Sequence, residues 1–249
     1  MTQVGRAGRL VVKVCGVRDP ATAEGAADAG ASAVGLVFDP RSPRAVDLVQ
    51  ARRVVEAVGC RIDCIGVFVD ADADELNRTA DAVGLQAVQL HLTQGRLERD
   101  LVTRVERPLL PAFSLRPPLP DLGPVLDWWP IEPVLLDAGT RERPGGTGAR
   151  ADWALAAIVA RHRPVWLAGG LGPESVVAAI HAVAPAGVDA SSGLETAPGV
   201  KDLELVRRFV TAARSADTHG GDRAGPGAAG ATPLCPGPAP AGCRARTAH

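Results

Sequence analysis

Between residues 10 and 214, short β-branched runs alternate eight times with longer stretches rich in Ala, Arg and Glu. This alternation constrains the fold most, because a period-two run followed by a helical pattern reads as a βα unit. The strand segments are "LVVKVCG", "AVGLVF", "DCIGVFV", "QAVQLH", "PLLPAF", "EPVLLD", "PVWLAGG" and "GVDASSG". Helices are predicted after Asp19–Pro20, over 47–58, from Asp72 to Ala82, near 96–105, over 152–161, from Pro173 to about 183, and over 202–214. Asp19 suits an N-cap with Pro20 in the first turn, and Asp72 with Glu75 suits a capping box. The segment 114–130 carries four prolines before Trp128, so its helix is predicted to be short, displaced or missing.

Eight units in one run favour a single α/β domain, a (β/α)8 TIM barrel with a reduced fifth helix, over residues 1–214. An open doubly wound sheet is the competing arrangement, since periodicity does not show that a sheet closes. Residues 215–249 are Gly, Ala and Pro-rich and nearly free of large apolar groups. Such a segment buries too little surface to offset the entropy of ordering, and is predicted to be a disordered tail.

Composition narrows the class further. Hydrophobic residues make up 46% of the chain and charged residues 22%, the balance of a soluble globular protein. Only 3% is aromatic, so the core must be built from Val, Leu, Ile and Ala. A formal net charge of −1 with scattered signs excludes the basic stripe of a nucleic-acid binder. No apolar run approaches the ~20 residues of a membrane span. Arg6 and Arg9 precede "LVVKV", but that run is short and broken by Lys13, so it does not read as a signal peptide. Five cysteines, an odd number, do not suggest a disulfide framework, and Cys60 and Cys64 read as strand-flanking thiols rather than metal ligands. A cytoplasmic location is expected.

In such barrels, chemistry gathers at the C-terminal ends of the strands. Here those ends carry Cys15-Gly16, Asp39 through Arg44, Asp70, Gln89 with His91, Ser114, Asp137, Gly169-Gly170 and Ser191-Ser192-Gly193. Each has an ordinary reading: Asp137 as a turn former, Cys15 as a buried thiol, Arg44 as a solvated loop arginine, His91 as a paired core histidine. The glycines and serines after strands seven and eight, beside a helix N-terminus, suit a phosphate, although tight turns use the same residues.

The blocks "KVCGVRDP" (13–20), "GLVFDPRSPRAV" (35–46), "GVFVD" (66–70), "VQLH" (88–91), "LLDAGTRERPGGTG" (135–148), "WLAGGLGPESV" (166–176) and "GVDASSGLETAPGVKD" (187–202) resemble, in order, the phosphoribosylanthranilate isomerases of tryptophan biosynthesis. The resemblance covers about 12–210 and also implies barrel closure. It implies an Amadori rearrangement of N-(5′-phosphoribosyl)anthranilate to 1-(2-carboxyphenylamino)-1-deoxyribulose 5-phosphate, an aldose–ketose isomerisation. Both proton transfers can be made by side chains, with no metal and no organic cofactor.

The family pattern puts the general base on Cys15 and the general acid on Asp137. It puts Arg44 on the anthranilate carboxylate, and the 5′-phosphate on Gly169, Gly170, Ser191, Ser192 and Gly193. Gln89, His91 and Gly146 fall at substrate-contacting positions, with the glycine loop behind Asp137 able to close. Lys13, two residues before Cys15 and so on the same strand face, is the nearest cation to draw the thiol pKa toward neutrality. It could equally be an interior lysine held by carboxylates. Partial burial is expected to raise the pKa of Asp137.

The chain departs from the family pattern at "LTQG" after "LH", at "ARADW" after "GGTG", and in having no tyrosine. These departures touch lid contacts rather than the acid, base or phosphate residues. Two other readings stay open. One is a related sugar-phosphate isomerase such as the histidine-pathway ProFAR isomerase, or a bifunctional relative. The other is a non-catalytic phosphate-binding barrel. The expected partner is a small phosphosugar, with other tryptophan-pathway proteins as candidates, the chain a monomer or homodimer, and neither nucleic acid nor membrane.

Overall fold

A computed structural model describes residues 9–93, 97–115, 128–130, 132–137 and 149–218. Its eight parallel strands are β1 (Val11–Cys15), β2 (Ala33–Val37), β3 (Asp63–Val69), β4 (Ala87–His91), β5 (Leu109–Ser114), β6 (Val134–Asp137), β7 (Val165–Ala168) and β8 (Gly187–Ala190). They hydrogen-bond in chain order and β8 returns to β1, so the ring is closed. The sheet is therefore the barrel, and the open-sheet alternative falls. The helices are α1 (Pro20–Asp28), α2 (Leu48–Val58), α3 (Ala73–Val83), α4 (Arg99–Arg104), α5 (Ala149–Ala160), α6 (Val176–Val183) and α7 (Leu203–Thr218). The predicted reduction of the helix between β5 and β6 falls on 116–127, outside the described residues.

Strand alternation sorts the chain into two packed layers. Val12, Val14, Val34, Leu36, Val88, Leu90, Leu136 and Leu167 face outward into a continuous shell shared with the helices. Val11, Ala33, Ile65, Ala87, Leu110, Leu135 and Trp166 fill the barrel interior. Trp166 fits because its register partner is Gly187, where a Cβ would stand 2.9 Å from the indole. Above this floor Cys15, Val37 and Val67 form a small cluster toward the mouth.

Helix starts follow local side-chain chemistry. Asp19 accepts from the Thr22 N–H at 2.9 Å, with Pro20 opening α1 as predicted. Asp72 accepts from the Glu75 N–H at 2.8 Å, but the reciprocal capping box is found at Asp47 and Gln50 instead. Pro173 lies in a turn, and α6 begins only at Val176.

Two further features differ from the sequence reading. A short antiparallel pair, β9 (Glu195–Ala197) and β10 (Val200–Lys201), follows β8. And α7 runs to Thr218, so the expected boundary at 214/215 cuts through a helix. Ala216 is buried there, and Asp217 accepts from the Leu10 N–H at 3.1 Å, which ties α7 to the start of β1. Residues 219–249 of the expected tail lie outside the described residues. Cys64 is a buried free thiol, but Cys60 is disulfide-bonded, against the reading of both as thiols. No helix among the described residues is long and apolar enough to cross a membrane.

Candidate active site

Lys13 and Cys15 share the inward face of β1, and the register sets Lys13 opposite Asp189 on β8. Lys13 is fully buried, and its Nζ lies 2.9 Å from Asp189 Oδ2, itself nearly buried. Two charges inside a barrel must compensate one another, and the closure of β8 on β1 makes this possible. The lysine is thus held by a carboxylate, the second of the two readings open to it.

Its effect on the thiol is outweighed, however. Burial pushes the Cys15 pKa up, Lys13 pulls it down, Asp189 raises it and Lys201 lowers it; the net direction is up. The expected pull toward neutrality by Lys13 is real in sign but smaller than the cost of placing a thiolate in a closed barrel. Lys13 itself stays charged, because Asp189 and Cys15 overcome the burial that would lower its pKa.

Gln89 and His91 occupy the inward face of β4, with Gln89 Nε2 2.7 Å from His91 Nε2. An amide nitrogen only donates, so the imidazole accepts at Nε2 and carries its proton on Nδ1. Burial lowers the His91 pKa, against the field of Asp137 and with that of Lys13. His91 therefore feels the charges of Asp137 on β6 and of the Lys13–Asp189 pair. Asp137 closes β6, partly buried, in register with Ser114 and Ala168.

Arg44 lies where the loop after β2 returns over the mouth. Its Nε and Nη2 each donate to Glu195 at 2.7 Å, a bidentate pair. Gly16 makes room for it: φ is +75°, and a Cβ there would stand 2.6 Å from Arg44 Cδ. Lys201 Nζ lies 2.5 Å from Glu195 Oε1 and donates to the Ser191 carbonyl and Oγ. Ser191 thereby joins the cation cluster.

The loops after β7 and β8 are locked together. Gly193 packs on Leu171 so closely that a Cβ would stand 2.1 Å from the Leu171 carbonyl oxygen. Gly169 and Gly170 both have positive φ, and Gly170 faces open space. Gly169, Gly170, Ser191, Ser192 and Gly193 therefore form one rim. Gly146 and the rest of the glycine loop lie outside the described residues.

Other polar groups at the strand ends serve their own loops. Asp39 pairs with exposed Arg41, and Asp70 accepts from the Thr93 N–H and hydroxyl. Sequence reasoning missed Asp189, Glu195 and Lys201. Asp189 was findable from alternation, since Gly187, Asp189 and Ser191 share one strand face. Glu195 and Lys201 needed the β9–β10 register, for which "ETAPGVK" gives only a turn signal.

The closed ring and this concentration of polar groups on its C-terminal rim define a (β/α)8-barrel enzyme. A family model for N-(5′phosphoribosyl)anthranilate (PRA) isomerase matches residues 12–212, and the chain belongs to that family. It is 41% identical over 212 residues to the N-(5′-phosphoribosyl)anthranilate isomerase of Cellvibrio japonicus, covering 84% of this chain and 96% of the relative. The crystal structure of the Thermotoga maritima phosphoribosyl anthranilate isomerase superposes with a TM-score of 0.73 at 33% identity, covering 83% of this chain and 99% of that one. A phosphoribosyl anthranilate isomerase in complex with reduced 1-(o-carboxyphenylamino)-1-deoxyribulose 5-phosphate superposes with a TM-score of 0.71 at 32% identity, with coverage of 83% and 99%.

Proposed function

We propose that this protein catalyses the Amadori rearrangement of N-(5′-phosphoribosyl)anthranilate in tryptophan biosynthesis, with Cys15 as general base and Asp137 as general acid. The observation that supports these roles is the placement of the two residues at the ends of β1 and β6 on one rim of a closed barrel. Asp137 protonates the furanose ring oxygen, and ring opening gives an imine. Cys15 then removes the proton from C2′, and the resulting enolamine tautomerises to the ketone. Every bond change is a proton transfer or its consequence, so the residues on the rim suffice.

The substrate's two anionic ends find two cationic or amide-rich places. The 5′-phosphate takes the rim formed by Gly169, Gly170, Ser191, Ser192 and Gly193. The anthranilate carboxylate takes Arg44, whose planar fork suits it. Gln89 Oε1 is buried and has no hydrogen-bond partner among the described residues, so it is available to a ribose hydroxyl. His91 orients that amide. Lys13 holds the cationic field that favours the thiolate.

The protein works in the cytoplasm, as a monomer or homodimer. Loss of substrate fluorescence, followed with purified protein in the presence of a chelator, tests the reading. Turnover that survives the chelator supports it. Turnover of the histidine-pathway aminoaldose alone would replace it with the ProFAR isomerase reading, whose usual acid–base pair is two aspartates.

A further inference from the structure

Glu195 stands between the Arg44 and Lys201 cations of the rim, and nothing in the acid–base chemistry requires a carboxylate there. Its side chain is 4% exposed, and that of Lys201 is 2% exposed. Oε1 receives both Arg44 Nε at 2.7 Å and Lys201 Nζ at 2.5 Å, while Oε2 receives Arg44 Nη2 at 2.7 Å. One carboxylate thus holds two positive groups that would otherwise repel. The three charges together leave one net positive charge at this side of the mouth.

The backbone that carries Glu195 is braced for this task. Glu195 opens β9 and lies opposite Lys201 on β10. The turn between them docks on the loop that presents Arg44: at Gly199, with φ of +81°, a Cβ would stand 2.5 Å from the Pro43 carbonyl oxygen. The hairpin therefore grips the Arg44 loop twice, by backbone at Pro43 and by charge at Arg44. Glu195 engages only Nε and Nη2, so Nη1 is the terminal nitrogen left for a further acceptor.

We propose that Glu195 is a positioning residue for the isomerisation, fixing the Arg44 guanidinium so that its remaining donors meet the substrate carboxylate in one orientation. This rests on the reading of Arg44 as the carboxylate anchor. Glu195 touches no reacting atom; it removes the rotamer freedom Arg44 would otherwise lose on binding.

The test is a double-mutant cycle on KM and kcat for N-(5′-phosphoribosyl)anthranilate, using Glu195→Gln, Arg44→Met and the pair, with thermal unfolding of each. Glu195→Gln keeps the side chain's shape and should raise KM by roughly 5- to 20-fold, as expected for loss of a preorganised charge-assisted pair. Arg44→Met should raise KM further, and Glu195→Gln in that background should change it by less than about 2-fold, because its partner is gone. Glu195→Asp, which keeps the charge, should recover part of the loss. Multiplicative effects, or a lowered melting temperature with KM intact, would assign Glu195 to the scaffold and overturn the proposal. An unchanged KM in Arg44→Met carries a different signature: it removes the carboxylate-anchor reading, and this inference with it.

Discussion

Cys15 and Gly35 are register partners on β1 and β2, and a Cβ on Gly35 would stand 2.8 Å from the Cys15 sulfur and 3.0 Å from Lys13 Nζ. The missing side chain is thus the space in which the thiol and the ammonium meet. Real Cβ contacts are longer, and neither neighbour can yield cheaply: Lys13 is buried and paired, and the Cys15 Cα lies 3.2 Å away. Gly35→Ala should therefore lower kcat by about 100-fold, the order expected when a reacting group moves by ~1 Å. Wild-type turnover in this variant would show that the sulfur has no fixed position to lose.

The charge pair below the thiol predicts two opposite shifts. Burial raises the Cys15 pKa, Lys13 opposes that, and Asp189 adds to it. Lys13→Met should move the rise of Cys15 alkylation with pH to higher pH, whereas Asp189→Asn should move it lower. Cys64, pushed up to about 12 by burial and Asp63, should stay silent in the folded protein and serve as an internal control. Alkylation profiles that coincide in the two variants would contradict the assignment.

That pair also bears on stability. Lys13→Met leaves Asp189 buried without its ammonium, a loss of about 3–5 kcal/mol by analogy with other broken buried pairs. Replacing both, as Lys13→Met with Asp189→Leu, should return much of it. Denaturant midpoints for the two variants check the sign.

The Glu195 cluster predicts acid sensitivity. Burial alone would raise the Glu195 pKa, but hydrogen bonds from Arg44 and Lys201 more than offset it, and the net direction is down. A carboxylate depressed on folding adds stability above its ordinary range, and loses it as pH falls through the lowered value. The melting temperature of Glu195→Gln should therefore fall less between neutral and acid pH than that of the unaltered protein. Parallel curves would show that the cluster does not contribute.

The end of α7 predicts where the chain can be cut. A chain ending at Arg214 loses buried Ala216 and the Asp217 acceptor of the Leu10 N–H, so its melting temperature should drop by several degrees. One ending at Thr218 keeps both contacts and should melt above the shorter chain. Equal melting temperatures for the two truncations would show that this last turn packs on nothing of consequence.

Much of this architecture was legible because it depends on local order. Alternation gave the eight strands and put Lys13 and Cys15 on one face, and the Asp19–Pro20 start of α1 needed only its own turn. What escaped was set by distant register. Nothing near Lys13 names Asp189, 176 residues away, as its partner; barrel closure does. Nothing near Arg44 names Glu195, 151 residues on. The net direction of the Cys15 pKa is not legible for a related reason: a neighbouring cation is visible in sequence, but the depth of burial is not. The end of α7 is not legible either, because Ser215, Asp217 and Thr218 look like loop residues until Leu10 supplies Asp217 with a partner.

The most direct measurement is single-turnover conversion of N-(5′-phosphoribosyl)anthranilate by the unaltered protein, Cys15→Ser and Asp137→Asn. The unaltered protein should convert it, and each variant should lose at least about 100-fold in the chemical step while binding substrate nearly as well. Conversion at the unaltered rate by either variant would contradict the assignment of base and acid to Cys15 and Asp137.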